Sequence, residues 1–474
     1  MRNKILPALL FLTSGLIISG CEKLLDVPPP INSITTEELF VNNKQAEWAM
    51  AGIYTKMING IATNAADLAN VPNNIFSGGL STLQGGLSAD EIIATSVSGA
   101  DYYSQRNKLT VEVSADKPDH LWYSTYRTIS DANALIDGIA LSTSPSLIDS
   151  VKKQLTGEAL ALRAFSYFYL VNYYGELPLV ITSDFKKTVS LSRSPVSKVY
   201  DQIKADLIKA KALLGSDYSV GGNKRSRVNK WFVEALLARV YLYTGEYQLA
   251  INSATAVIDQ SDLFKLEQDI SNTFLPNSPE TIFQLIPTTG LLNNATPEGH
   301  VFHLLFRPYA ISNELLDAFE VNDKRKLTWI KLDGATFIPA KYSKGNPVQY
   351  YKVMRLAEQI LIRAEATVLY NPSAKNNAID DINQLRRRAG LTELDYSLTA
   401  DEVLHAIAHE RRVELFLEWG HRWFDLKRTA KAHDVLSIIS YKVPWEGDHQ
   451  LLYPVPKEEI RVNGRLVQNP GYNN

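Results

Sequence analysis

The sequence predicts a mainly α-helical protein, a tetratricopeptide-like helical-repeat scaffold with irregular, loop-rich insertions and a few short strands. Two observations support this fold class. The stretches EALLARVYLYTGEYQLAINSATAVID and LIRAEATVLYNPSAKNNAIDDINQLRRRAG carry small and large apolar residues at the same intervals. Two long segments, near 59–118 and 265–350, interrupt the helical periodicity with glycine, serine, asparagine and proline. If the helix pairs stack as one scaffold, both insertions can meet on one face and build a pocket.

The two copies of the repeat share one spacing. In each copy a small residue is followed three positions later by a large one. A second small residue lies 12 positions after the first small residue, and a second large residue lies 19 positions after it. A small residue at the point of contact lets two helices approach closely. The first copy also has a glycine, Gly245, at its turn. The matching residues are Ala238, Tyr241, Ala250 and Val257 in the first copy and Ala366, Leu369, Ala378 and Leu385 in the second.

The chain begins with a segment typical of a lipoprotein signal peptide. A short basic start precedes an apolar run over 5–18, which is shorter than the roughly 20 residues that a membrane-spanning helix needs. The run ends in ISGC, which resembles a bacterial lipobox and contains the only cysteine of the chain, Cys21. We predict that residues 1–20 are a signal peptide and that Cys21 is lipidated. Residues 21–34, with three consecutive prolines, are predicted to form a lipid-anchored extended linker.

Residues 35–474 are predicted to form a single domain, and its first helices have local signals. Thr35 and Glu38 fit a capping box that opens a helix through Tyr54. Apolar periodicity then predicts two buried helices, over 120–139 and 151–175.

Later elements also have recognisable boundaries. Ser194 is predicted as an N-cap, with Pro195 at the first position of a helix that runs to Leu214. Gly390 follows three arginines and an alanine, which predicts a glycine C-cap after a basic last turn. In the second insertion, ETIFQLI and LTWIKL predict short strands.

Composition and motifs exclude several classes of function. The net charge of −2 does not favour binding to nucleic acid or to an anionic membrane surface. With Cys21 lipidated no thiol nucleophile remains, and the chain after it has no nucleophile elbow, phosphate-binding loop or dinucleotide fingerprint. We predict no enzymatic activity and no cofactor. The 23 tyrosines, 16 phenylalanines and 7 tryptophans suit stacking on sugars, and they equally suit tightly packed helices.

A metal site was weighed for the stretch HAIAHERRVE. His405 and His409 are four residues apart on one predicted helix, a spacing at which two imidazoles can share a metal. The stretch lacks the second histidine of the zinc-protease motif, so no metal site is predicted. We instead predict that the dense charges here form ion pairs within the scaffold. These residues are Glu410, Arg411, Arg412, Glu414, Glu418, Arg422, Asp425 and Arg428.

Five stretches, in order, resemble motifs of the SusD/RagB family of lipoproteins. Together they extend from Cys21 to Tyr472, which is nearly the whole mature chain. One departure is Trp419, which separates Glu418 from Gly420 where the family more often has Glu-Gly directly, and which is expected to reshape that turn. The stretches are LLDVPPPINSITTEELF, TGEALALRAFSYFYLVNYYGELPLV, RLAEQILIRAEA, HERRVELFLEWGHRWFDLKR and LYPVPKEEIRVNGRLVQNPGY.

The resemblance implies a role in nutrient uptake. Such proteins are held on the outer membrane by their lipid, face the cell exterior, and pair with a SusC-like TonB-dependent β-barrel transporter. They capture a nutrient, most often oligosaccharide or polysaccharide fragments, without cleaving it. Only Glu22 is acidic directly after Cys21, whereas the family's surface-export signals are usually richer in acids. A surface glycoside hydrolase, a structural transporter subunit and a peptide-binding homologue stay open as alternatives.

The resemblance also suggests ligand-binding residues in the first insertion. The stretch SADEIIATSVSGADYYSQRNKL is similar to the family segment in which an acidic pair precedes a loop with a sugar-stacking aromatic ring. By that match Tyr102 is the stacking residue and Gln105 a hydrogen-bonding residue, with Tyr103 and Arg106 as adjacent candidates. The alternative is that both tyrosines only pack the loop.

The second insertion supplies three further candidates. Asn293, Asn294 and His300 lie in a stretch flanked by glycine and proline, and their side chains can donate hydrogen bonds to hydroxyl groups. We therefore predict that both insertions contribute to one ligand site.

Overall fold

A computed structural model describes residues 39–60, 71–287 and 295–473. The predicted signal peptide, the linker and the capping box at Thr35 lie outside these residues, and so do Cys21, Asn293 and Asn294. No helix in the described part of the chain is both long and apolar enough to span a bilayer.

Helices make up most of the described chain. The first half contains α1 (Asn43–Asn59), α2 (Val71–Asn74), α3 (Leu80–Ser88), α4 (Gly99–Ser104), α5 (Val111–Ser114), α6 (Lys117–Leu141), α7 (Asp149–Tyr174), α8 (Phe185–Thr188), α9 (Val196–Leu213), α10 (Lys230–Tyr243) and α11 (Tyr247–Ile258). The second half contains α12 (Pro297–Val301), α13 (Asn313–Leu316), α14 (Lys324–Trp329), α15 (Leu356–Tyr370), α16 (Lys375–Ala389), α17 (Ala400–Glu414), α18 (His421–Arg428), α19 (Ala432–Leu436) and α20 (Lys457–Val462).

The long helices pack one on the next. Helix α6 packs on α7, α7 on α9, α9 on α10 and α10 on α11. Helix α11 then packs directly on α15, although the second insertion separates them in sequence, and α15 packs on α16 and α17. The insertion is therefore an excursion from a continuous helical stack.

Both predicted helix pairs are confirmed. Ala238 and Ala250 are fully buried where α10 meets α11, and Ala366 and Ala378 are fully buried where α15 meets α16. Gly390 ends α16 in the left-handed conformation, with φ of 76°, and its amide donates to the carbonyls of the last turn as a C-cap. The small residues permit the close approach that the repeat spacing predicts.

Six short strands form three antiparallel pairs in the described chain. Strand β1 (Ile92–Ala94) pairs with β3 (Tyr309–Ile311), with Ile92 opposite Ile311. The remaining pairs lie in or directly after the second insertion. Strand β2 (Thr281–Leu285) pairs with β6 (Tyr351–Arg355), and β4 (Ile330–Asp333) with β5 (Thr336–Pro339).

One hydrophobic cluster extends from Phe40 to Val455 and is richest in aromatic rings around α7. Phe165 and Tyr169 lie at its centre, with ring centroids 4.9 Å apart in an edge-to-face arrangement. Trp419 contacts both rings, at 5.4 Å and 5.5 Å. Much of the aromatic content noted in the sequence therefore serves packing.

The charged motif forms buried ion pairs, as predicted. Arg355, which ends β6, binds Glu414 at 2.6 Å and Glu418 at 2.8 Å. Arg388 binds Glu414 at 2.5 Å. Burial by itself would raise the pKa of Glu418, but Arg355 and Lys341 outweigh burial and lower that pKa to about 2. Glu414 at the end of α17 and Glu418 in the turn after it thus join the insertion to the repeat scaffold.

Two predicted helix starts need correction. The helix that contains Tyr54 begins at Asn43, because Asn42 is its N-cap and accepts a hydrogen bond from the backbone amide of Gln45 at 3.0 Å; the predicted cap Thr35 lies outside the described residues. In α9 the N-cap is Pro195 instead of Ser194. The backbone of Ser194 is already paired with that of Leu177 through two hydrogen bonds.

Parts of the predicted irregular segments are regular. The glycine pair Gly85-Gly86 lies inside α3, whose residues are all buried. A β-carbon on Gly85 would overlap the backbone of Gly420, so this glycine permits close packing and does not break the chain. The predicted strand LTWIKL begins only at Ile330, because Asp323 accepts a hydrogen bond from an amide in the first turn and starts α14.

Candidate ligand face

The two insertions meet through β1 and β3. Beyond the last strand pair, the amide of Thr95 donates to the carbonyl of Pro308 at 3.0 Å, and the Thr95 hydroxyl donates to the carbonyl of Arg307 at 3.1 Å. The Arg307 guanidinium reaches Asp333 of β4 at 2.9 Å. Segments 95–106, 300–309 and 330–344 therefore form one connected surface, which we name the insertion face.

An acidic pair anchors the first insertion to the scaffold. Asp90 binds Arg422 at 2.8 Å and Arg412 at 2.7 Å, and Glu91 accepts a hydrogen bond from the amide of Leu417 at 3.2 Å. Both carboxylates are buried. This pair, which precedes the tyrosine loop in sequence, holds the loop in place from below.

Helix α4 is fixed through its inner side. The Asp101 carboxylate binds Lys117 at 2.5 Å and accepts a hydrogen bond from the Tyr309 hydroxyl at 2.7 Å. The Ser104 hydroxyl donates to Gln84 at 2.8 Å. With Asp101 and Ser104 directed inward, Tyr102 and Arg106 are left at the surface.

Tyr102 and Tyr103 have different surroundings. Tyr103 packs against the hydrophobic core, whereas the ring contacts of Tyr102 are the edge of Tyr103, at 5.4 Å, and the guanidinium of Arg106, at 4.0 Å. Tyr102 is half-buried. A cation–π contact of this kind orders both partners and covers one face of the tyrosine ring.

Gln105 lies beneath the insertion face. Its side-chain carbonyl accepts a hydrogen bond from the amide of Ala94 at 2.8 Å, and only 6% of the residue is exposed. The carbonyl that sequence reasoning assigned to a ligand is therefore used inside the protein, where it ties α4 to β1.

His300 lies on the part of the insertion face that comes from the second insertion. It is half-buried on α12, whose N-cap is Thr296. Burial is the main cause of a lowered pKa for His300, and Lys344 lowers it further. His303 contacts the carbonyl of Gly299 at 2.9 Å through Nδ1. The two imidazoles are consequently neutral at pH 7 and able to donate or accept hydrogen bonds.

Two exposed apolar residues on this face were missed by sequence reasoning. Leu305 is 88% exposed and Phe306 73% exposed, in the turn just before Arg307. Val97, in the neighbouring turn of the first insertion, is 82% exposed. The signal for Leu305 and Phe306 in the sequence was the apolar run LLF ahead of Arg-Pro in a loop.

His409, considered above as a metal ligand, has another role. Its Nε2 contacts the carbonyl of Ala318 at 2.8 Å, which joins α17 to the segment after α13. In the described residues no group of three or more His, Cys, Asp or Glu side chains is arranged to hold a metal ion.

Two family models match separate parts of the chain. The model described as SusD family matches residues 336–472, and a second, described as starch-binding associating with outer membrane, matches residues 54–242. The chain belongs to the SusD/RagB family. The matched regions contain α6–α9, α10 up to Leu242 and the charged motif of α17 and α18, and the second model also covers the first insertion.

Relatives of known sequence and structure agree with this family. A SusD-like protein of Formosa agariphila is 27% identical over 424 residues, covering 74% of this chain and 80% of that protein. A SusD superfamily structure from Bacteroides vulgatus superposes with a TM-score of 0.77 at 20% identity, covering 92% of this chain and all of that one. A structure described as a laminarin-binding SusD-like protein has a TM-score of 0.72 at 24% identity, covering 91% and 100%. The mainly helical, SusD-like fold is thus confirmed.

Proposed function

We propose that this protein is a non-catalytic outer-membrane lipoprotein that binds glycan fragments on the insertion face and delivers them to a SusC-like TonB-dependent transporter. The observation that supports this most is the pairing of β1 with β3. It brings together the segments that carry the half-buried Tyr102 and the exposed Phe306, one from each insertion. Aromatic and apolar side chains of this kind stack on the apolar faces of sugar rings.

The polar groups beside these rings fit the same ligand class. Arg106, His300 and Arg307 are half-buried donors on the insertion face. Hydroxyl groups at the rim of a sugar accept hydrogen bonds from such donors. Asn293 and Asn294 belong to the same proposed site by their position in the sequence.

The membrane attachment is part of the proposal. Cys21 carries acyl chains after removal of residues 1–20, and residues 21–34 act as a tether to the single domain that follows. Several acyl chains on one residue anchor a protein stably, at about 0.8 kcal/mol for each buried CH₂. Labelling cells with a fatty-acid analogue tests this point, since a Cys21→Ser variant should lose both the label and the membrane fraction.

Calorimetric titration tests the capture function. Protein that begins after Cys21 is titrated with laminarin, starch and other oligosaccharides and with peptides, alongside Tyr102→Ala and Phe306→Ala. We expect saturable binding of a glycan, weakened about tenfold or more in either variant, because each ring contributes on the order of 1 kcal/mol or more to stacking.

The control is Tyr396→Ala, which removes an exposed tyrosine of the scaffold outside both insertions. New reducing ends during the titration would indicate a glycoside hydrolase. Binding of peptides alone would favour the peptide-binding alternative, and no binding without the barrel would favour a structural subunit. Each of these results would contradict the proposed function.

A further inference from the structure

The insertion face carries a cation that lacks an acidic partner. Arg106 is half-buried, and no described carboxylate lies within the 4.0 Å of an ion pair. Among the described residues its guanidinium makes one hydrogen bond, a long contact of 3.5 Å from Nη1 to the carbonyl of Tyr441. A guanidinium has five donor hydrogens, so most of those on Arg106 are free for a ligand.

Elsewhere in the described chain, most buried and half-buried arginines are bound to carboxylates. The exceptions Arg193 and Arg225 are half-buried and donate instead to several backbone carbonyls, such as those of Glu176 and Leu263. The paired ones include Arg163, Arg239, Arg325, Arg355, Arg363, Arg386, Arg388, Arg411, Arg412, Arg422 and Arg428. Desolvating an unpaired charge costs free energy, which is why proteins pair buried charges. Arg106 differs from all of these arginines because its guanidinium has neither a carboxylate nor a set of carbonyl partners among the described residues.

The second insertion adds cations to the same face. Lys331 and Lys344 are exposed and are not ion-paired within the described residues. Both lie close to His303, since burial first and then Lys331 and Lys344 lower the pKa of its ring. The insertion face therefore has three cations without an acidic partner, although the whole chain has a net charge of −2.

Several carboxylates lie around this face. Asp101 binds Lys117 at 2.5 Å, and Asp333 binds Arg307 at 2.9 Å. Glu446 binds Lys108 at 3.2 Å, the exposed Asp116 lies 3.9 Å from His120, and the half-buried Glu314 lies near Tyr441. None of them neutralises Arg106, Lys331 or Lys344.

We propose that the glycan taken by the insertion face is anionic and carries uronate carboxylates or sulfate esters. This inference rests on the glycan-capture function proposed above and narrows its ligand class. The guanidinium of Arg106, stacked on Tyr102, presents its in-plane donors to a carboxylate or a sulfate, which it binds in a bidentate manner. Lys331 and Lys344 attract the charges of neighbouring sugar units.

Salt-dependent binding tests the charge of the ligand. The full chain, purified in a non-ionic detergent, is titrated with oligogalacturonate, with sulfated laminarin oligosaccharides and with the unsulfated oligosaccharides of equal length. We expect at least one anionic glycan to bind ten times or more tightly than the neutral one. We also expect its affinity to fall several-fold between about 0.05 M and 0.5 M NaCl, because salt screens charge interactions at exposed sites. The two anionic probes distinguish a carboxylate from a sulfate ligand.

Variants test the assigned residues. Arg106→Gln should weaken binding of the anionic glycan about tenfold and reduce the salt dependence of that binding. Arg106→Lys should keep part of the affinity and part of the salt dependence. The double variant Lys331→Gln with Lys344→Gln should also weaken binding and reduce its salt dependence. Lys186→Gln, an exposed lysine of α8 outside both insertions, is the matched control. Equal thermal melting of all variants shows that folding is retained.

The outcomes separate the two proposals. Equal or tighter binding of the neutral glycan, with no salt dependence, overturns the anionic ligand and leaves glycan capture standing. Absence of binding to any glycan, charged or neutral, overturns both.

Discussion

At the scale of single residues, the buried side chain of Glu91 holds the first insertion against the scaffold although its burial is unfavourable to stability. Its Oε1 atom accepts from the amide of Leu417, whereas its Oε2 atom is buried without a hydrogen-bond partner in the described structure. Burial first, and then the neighbouring charge of Asp90, raise the pKa of Glu91 to about 8. The side chain is therefore held protonated at neutral pH.

The raised pKa of Glu91 predicts a stability that depends on pH. A carboxyl whose pKa is higher in the folded state stabilises most below its unfolded value, near 4.5, and that contribution is lost as the pH rises through about 8. Glu91→Gln cannot ionise, so we expect it to be more stable than the wild type at pH 9. This gain in the free energy of unfolding should be larger at pH 9 than at pH 5 by at least about 1 kcal/mol. Urea unfolding at both pH values measures this difference.

The control for this experiment is Asp262→Asn, which neutralises an exposed carboxylate. Its effect on unfolding should be the same at both pH values. If Glu91→Gln behaves like this control, Glu91 is ionised in the folded protein and the assignment is wrong.

At the scale of elements, the crossing of α3 with the turn before α18 positions the first insertion. Gly85 of α3 faces the backbone of Gly420, and the turn has positive φ angles at Leu417 (49°), Trp419 (54°) and Gly420 (78°). Trp419 compensates for this backbone strain by stacking on Tyr351 at 5.1 Å. The extra tryptophan noted in the sequence therefore lies in an unusual turn that it helps to hold.

Gly85→Ala should be destabilising because its methyl group would overlap the backbone of Gly420, which cannot rotate away. We expect a loss of about 1–3 kcal/mol or more in the free energy of unfolding. Gly52→Ala is the matched control, since Gly52 lies inside α1 with no atom near the added methyl group. That substitution should stabilise by about 0.5–1 kcal/mol. Urea unfolding of both variants checks the prediction, and a loss of stability in Gly52→Ala or none in Gly85→Ala would contradict it.

At the scale of the whole molecule, a buried charge network joins the second insertion to the scaffold. Arg355 is 2% exposed and binds both Glu414 and Glu418, while Lys341 also binds Glu418, at 2.6 Å. Removing one member of such a network leaves the others charged and without a partner in a region of low polarity. The network thus couples β6, α17 and the turn that follows α17.

Arg355→Met should therefore cost about 3–5 kcal/mol in the free energy of unfolding. Arg387→Met is the control, because Arg387 and its partner Glu393 are both exposed, and exposed pairs contribute about 0–1 kcal/mol. Unfolding followed by circular dichroism and by tryptophan fluorescence gives both values. Similar losses in the two variants would show that the network does not join these parts.

The sequence by itself determined the features whose causes are local. The helix pairs were predicted because small and large residues recur at the same short intervals in two stretches of the chain, and Gly390 was predicted because a C-cap depends on its own backbone angles. The sequence also predicted that the charged motif forms ion pairs, since so many charges on buried helices require partners. Their partners were not identified.

Only the tertiary structure decided what depends on residues distant in sequence. Asp90 is bound by Arg412 and Arg422, more than 300 positions away, and Gly85 is a glycine because Gly420 lies against it. Periodicity contains no information on such contacts. For the same reason the sequence could not tell that Gln105 is turned inward and Phe306 outward, because the pairing of β1 with β3 sets both directions.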